Sequence, residues 1–259
     1  MRRFRMPQVG AGGADAGETL TELTGDPESW ADGGTDGGWG YASGTSAVYR
    51  WRSTDSLWVA AEAYDAGTLT LFATIDGSED AAALGTLGYS VNTGGGGGVT
   101  TATIGGHSYV ALDTSGGAGE TCNLSRSVTS GHGHYYAGRV QITAATGSSA
   151  SHCMLPYLRD GARIYWLNAA AATNQARFSP AAMFDASSND LWTAPVWLEV
   201  LIVPSGSAYA RADHGGWFAA ISAAQCSATA STDEFIGDSS GTVSATVNLR
   251  AFSTWDIAP

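Results

Sequence analysis

Residues 243–252 read VSATVNLRAF, and this stretch decides the fold. Val243, Ala245, Val247, Leu249 and Ala251 alternate with Ser244, Thr246, Asn248 and Arg250. A period of two with one apolar face is a half-buried antiparallel strand. Residues 138–144 repeat the pattern: Val140, Ile142 and Ala144 point one way, Arg139, Gln141 and Thr143 the other. Leu69, Leu71, Ala73 and Ile75 likewise alternate with Thr70, Phe72 and Thr74, which places all four on one face. Residues 196–203, VWLEVLIV, are apolar on both faces except at Glu199, so they predict a central strand covered on both sides. Asp76-Gly77, Asp160-Gly161, Ser205-Gly206, Gly215-Gly216 and Gly237-Asp238 mark turns between such runs. Many short strands with glycine turns predict an all-β sandwich or barrel. Helix is sparse: the alanine run 169–172 is too short to stand alone.

Composition narrows the function. Charged residues are 14% of the 259, and small Gly, Ala, Ser and Thr residues fill the gap. Such a surface suits a chain that packs against copies of itself or neighbouring proteins. Nine Trp and ten Tyr add aromatic area for a core, an interface or sugar platforms. A net charge of -12 argues against nucleic acid, because phosphate needs a basic face. No run approaches 18 apolar residues, so no membrane insertion is expected.

All basic residues are arginines, and three of the twelve cluster as Arg2, Arg3 and Arg5 around Phe4. This tip reads either as a frayed terminus or as an arm that docks on an acidic neighbour. It resembles the start of a signal peptide, but no apolar segment follows it. Cys122, Cys153 and Cys226 are odd in number and lack metal spacing, which predicts free thiols. Both features fit a protein made in a bacterial cytoplasm.

A boundary is expected near residue 84. Residues 1–83, with Trp30, Trp39, Trp51 and Trp58, form a β-rich attachment region, and 84–259 form the sandwich. Leu87 to Val91 read as the sandwich's first strand, and Gly94 to Gly98 as a loop within it. Val48-Tyr49-Arg50-Trp51 and Leu57-Trp58-Val59 flank a polar turn as a hairpin.

Two resemblances follow from these residues. The stretch 32–59, DGGTDGGWGYASGTSAVYRWRSTDSLWV, resembles a short element of bacteriophage tail and fibre proteins. Residues 84–255 resemble a concanavalin-A-like lectin/glucanase jelly roll, through GHSYVALD at 106–113, the strand from Tyr136 to Ala144, the hairpin YLRDGARIYWL at 157–167, the run 197–219, and Ile236-Gly237-Asp238 before the closing strand. The resemblance implies a strand ending in a structural or ligand-facing Asp113. Glucanases of this superfamily set acids at alternate positions of one strand, so that two carboxylates flank the glycosidic bond. None of the eight Glu here belongs to such a triplet, and Glu199 stands alone as a buried acceptor.

Other chemistry is equally unsupported by spacing. His132-Gly133-His134 reads as a loop before the strand at Tyr135, and two rings do not make a metal site. Asp26, Glu28, Asp32 and Asp36 fail the EF-hand pattern and fit turn chemistry. The expected protein is therefore a non-enzymatic phage virion component, tail-associated or surface-displayed, without catalytic residues, metal or cofactor. Its expected partners are copies of itself, neighbouring virion proteins and host surface glycans. The alternatives are a capsid decoration or head-fibre protein, or a glycan-binding adhesin outside any virion. Trp192 and Trp217, beside loop residues, are the candidate ligand-binding aromatics; Arg2, Arg3, Phe4 and Arg5 are the candidate docking residues.

Overall fold

The computed structural model describes residues 20–116, 119–147, 153–159, 164–170, 175–178, 181–184, 194–204, 208–219, 233–238 and 243–259. The chain runs β1 (Thr21–Leu23), β2 (Trp39–Ala42), β3 (Val48–Arg52), β4 (Leu57–Ala60), α1 (Ala61–Tyr64), β5 (Thr68–Ile75), α2 (Ala81–Thr86) and β6 (Ser90–Gly94). It continues with β7 (Gly98–Ile104), β8 (His107–Asp113), β9 (Thr121–Ser127), β10 (Gly133–Gly147), β11 (Cys153–Arg159), β12 (Ile164–Ala170) and β13 (Gln175–Phe178). The last elements are β14 (Ala181–Phe184), β15 (Val196–Ile202), β16 (Ala208–Ala212), β17 (Phe218–Ala219), β18 (Asp233–Asp238) and β19 (Val243–Ala258).

Two large sheets make the expected all-β jelly-roll sandwich. One runs β17-β16-β15-β10-β19-β8-β7, with β5 also paired to β19; the other runs β14-β13-β12-β11-β18-β9-β6. Val110, Leu112, Val140, Ile142, Leu198, Val247 and Leu249 of the first sheet meet Cys122, Leu124 and Ile236 of the second in one buried core. Truncating a leucine here costs about 2–5 kcal/mol. Cys122 is a buried free thiol, Cys153 lies on β11, and Cys226 is outside the described residues.

A third sheet, β1-β2-β3-β4, ends at Ala60 and holds the predicted hairpin, with Trp51 opposite Trp58. Residues 61–83 then contribute β5 to the eight-stranded sheet. The small sheet and α1 lie on the outer face of that sheet. There Val59, Ala60 and Ala63 pack with Tyr135, Ala137, Leu201, Trp255 and Ile257. Gly94 to Gly98 carry the chain from β6 in one large sheet to β7 in the other, inside the sandwich.

Two alternation patterns need correction. The strand predicted to end at 252 runs on to Ala258, with a bulge opposite Gly138. Ala251 adopts φ 46° there, and the extra residue reverses the phase. Val247 and Leu249 face the inner core before it; Phe252 faces the inner core after it, and Trp255 and Ile257 face outward. A Cβ on Gly138 would collide with the Phe252 backbone, so this position requires glycine. Leu69 and Leu71 likewise join the outer cluster while Ala73 and Ile75 join the inner core. A register shift at Thr254/Trp255 separates the two pairs.

Candidate functional site

The outer face of the eight-stranded sheet carries a dense polar and aromatic cluster, where the small sheet packs on β10, β15 and β16. Glu199 is wholly buried on β15. Its lone position among apolar residues follows from its neighbours, which supply every partner. Arg211 on β16, its register partner, donates from Nε at 2.7 Å and from a terminal nitrogen at 3.0 Å. The Tyr135 hydroxyl on β10 donates at 2.5 Å, and the Tyr49 hydroxyl on β3 donates at 2.9 Å. Burial pushes the Glu199 carboxyl up, but the Arg211 charge and these hydrogen bonds outweigh it and hold the group well below the usual carboxylate range. Burial and the same carboxylate push both tyrosine hydroxyls well above their ordinary range. The ionised form of Glu199 is thus favoured, with both oxygens engaged.

His214 closes this cluster. Its Nδ1 lies 2.5 Å from the Tyr49 hydroxyl. Because that hydroxyl gives its one proton to Glu199, a proton on Nδ1 makes the imidazole the donor to Tyr49. The ring packs against Trp30 at 5.2 Å and Trp197 at 6.4 Å between centroids. Asp213 and His214 both adopt left-handed backbone, φ 46° and 60°, which is costly for non-glycine residues. Asp213 fixes this turn by accepting from the Trp197 amide at 2.9 Å and donating to its carbonyl at 2.8 Å.

A second row crosses the same face. Trp197 on β15 is the register partner of Arg139 on β10, which is the partner of Arg250 on β19. Tyr109 on β8 adjoins Arg250; burial pushes its hydroxyl up, and a hydrogen bond from Arg250 partly offsets this. The Arg139 guanidinium lies 5.9 Å from the Trp197 ring. Pro27–Ser29, a 3-10 turn, brings two acids onto the arginines. Arg139 meets Asp26 at 2.7 Å and Glu28 at 3.6 Å, and Arg250 meets Glu28 at 2.6 Å. Gln141, two residues along β10 on the same face, has a buried side-chain oxygen with no hydrogen-bond partner among the described residues.

A further ionic network lies within the sandwich. Arg126 binds Glu234 at 2.8 Å and Asp256 at 2.9 Å, so a cation sits between the two carboxylates. His134 Nδ1 reaches Asp256 at 3.0 Å. The sequence placed His134 in a loop; it is instead a fully buried residue of β10, whose register partner Asp256 engages Nδ1 while Nε2 has no hydrogen-bond partner among the described residues. Among the described residues, no group of three or more His, Cys, Asp or Glu is arranged to hold a metal. Asp32 does turn work, accepting from the Gly34 amide, whereas Asp36 makes long-range bonds, accepting from Ser53 and the Tyr64 hydroxyl. Asp113 accepts from Thr246 and the Ser115 amide, a structural role.

The predicted ligand and docking residues divide. Trp217 is half-buried, and the Arg211 guanidinium covers one ring face at 4.3 Å. Trp192, Arg2, Arg3, Phe4 and Arg5 lie outside the described residues. The sequence alone does not mark Trp197, Arg139 and Arg250 as site residues. Their only sequence signal is that arginines face outward in otherwise apolar strands.

No protein-family model matches the chain, and no curated protein matches it. Solved structures similar to it include a carbohydrate esterase from the Shiga toxin-encoding bacteriophage phi24B, at 13% identity and TM-score 0.42, covering 74% of this chain and 100% of that one. Alginate lyase AlgAT5 from Polysaccharide Lyase family 7 is similar at 8% identity and TM-score 0.45, covering 75% and 96%. Peanut lectin is similar at 8% identity and TM-score 0.38, covering 73% and 97%. These are likenesses of sandwich architecture.

Proposed function

We propose that this chain is a non-enzymatic glycan-binding component of a bacteriophage particle, tail-associated or surface-displayed, with its sugar site on the outer face of the eight-stranded sheet. The observation that carries the binding part is the row Trp197, Arg139, Arg250 and Tyr109. It combines a half-buried indole with planar charged donors, the groups that stack on and hydrogen-bond to a sugar ring. The carboxylates of Glu199, Glu234 and Asp256 support the reading that the chain does not hydrolyse glycosides. Glycoside hydrolysis needs one acid that can carry a proton and a second free carboxylate. Glu199 is held ionised by its donors, and Glu234 and Asp256 are bridged by Arg126. The virion part is supported by residues 32–59 and by the low charge density, which suits packing against other subunits.

Glycan-array binding of the whole chain tests the reading. Wild type retains specific glycans, and Trp197→Ala loses them while keeping its near-ultraviolet circular dichroism apart from the deleted indole. Binding unchanged in Trp197→Ala would move the sugar elsewhere. Sedimentation at micromolar concentration tests self-association, with more than one chain per particle expected.

A further inference from the structure

We propose that the Arg139–Arg250 pair is a subsite for the carboxylate of an acidic sugar, for which Asp26 and Glu28 are built-in competitors. The proposal rests on the glycan-binding reading above and adds the substrate class.

The two guanidinium groups stand directly opposite each other on β10 and β19. Like charges in that position repel, so an anion must lie between them. Asp26 and Glu28 provide it, at 2.6 to 3.6 Å. The pair is therefore already spaced to hold carboxylates, the group for which the guanidinium fork is shaped.

The internal acids are thinly anchored. Glu28 lies in, and Asp26 caps, a three-residue 3-10 turn with no buried residue of its own. The Asp26 side chain is 44% exposed. Burial pushes the Glu28 carboxyl up more than Arg250, Arg139 and His107 pull it down, so its ionised form is held against a desolvation cost. A ligand carboxylate that takes its place returns Glu28 to water.

The flanks suit the rest of a uronate ring. Trp197 offers an indole on one side of Arg139. The unpartnered Gln141 oxygen accepts from a ring hydroxyl, and a buried acceptor left without a partner costs about 1–3 kcal/mol. The body's net charge of -12 repels polyanions in general, so retention of one would report this local pair.

Titration calorimetry with a hexagalacturonate, a neutral cello-hexaose and a sulfated oligosaccharide of equal length tests the assignment. Wild type is expected to bind the uronate. D26N/E28Q is expected to bind it about tenfold tighter, because a larger fraction of sites is open. R139Q/R250Q is expected to lose it; should that variant fail to fold, the gain in D26N/E28Q decides alone. Unchanged or weaker uronate binding in D26N/E28Q would overturn the proposal, as would uronate binding that survives R139Q/R250Q. Tighter binding of the sulfated ligand would overturn the carboxylate assignment. Binding of the neutral ligand without the uronate would overturn the subsite and leave the glycan reading standing. Retention of none of these ligands would overturn the subsite, and an empty glycan array beside it would remove the glycan reading as well.

Discussion

Tyr49 and Glu199, separated by 150 positions in sequence, are joined by a 2.9 Å hydrogen bond that ties the small sheet to the large one. Tyr49→Phe removes one donor from an anion that keeps its others. It should lower stability by about 1–2 kcal/mol. Glu199→Gln leaves Arg211 buried without its counter-charge and should cost about 3–5 kcal/mol. Urea midpoints of the two variants check the order; equal losses would contradict it.

Acid should loosen the sandwich through Asp256. Burial pushes its carboxyl up, but hydrogen bonds from His134 and Arg126 prevail and hold it down at about 2. An unfolded aspartate titrates near ~3.9. The folded value is the lower one, so this contribution is complete above the unfolded value and lost as pH falls toward 2. Urea stability measured between pH 5 and pH 2 should decline, and Asp256→Asn should flatten that decline while lowering stability at pH 7. An unaltered slope in the variant would assign the acid sensitivity elsewhere.

Gly138→Ala should be far more harmful than Gly85→Ala. At Gly138 the new methyl meets the Phe252 backbone across the bulge, which cannot yield cheaply. Overpacking of this kind costs about 1–3 kcal/mol or more. At Gly85, in α2, nothing lies within 4 Å, and alanine should stabilise by up to about 1 kcal/mol. Thermal melts of the pair check the contrast.

Deleting residues 1–6 should leave the melt unchanged, since no predicted core strand begins there. If Phe4 anchors in a partner's apolar pocket with Arg2, Arg3 and Arg5 on its acidic rim, the deletion abolishes incorporation into particles. The protein content of purified virions reads this out. Normal incorporation returns the arm to a frayed terminus.

The strands were legible because alternation is a local property. Val140 and Ile142, and Val247 and Leu249, declare their inner face without knowledge of the sheet order. The bulge at Ala251 was not legible, because apolar alternation continues through it in sequence while one left-handed residue reverses the phase. Glu199 could be read as a buried acceptor from its apolar flanks. Its donors could not, since Tyr49, Tyr135 and Arg211 arrive from three other strands. His134 was misplaced for the same reason: Asp256 is 122 positions away. Trp217 attracted attention beside its Gly-Gly turn, while Trp197 was hidden inside the run VWLEVLIV.

Incubating the protein with the glycan it retains, and then assaying for new reducing ends, separates binding from turnover. The glycan should be bound through the Trp197 row and recovered intact. Release of reducing ends that disappears in Glu199→Gln, with binding preserved, would contradict binding without turnover and make Glu199 a catalytic acid rather than a clamp.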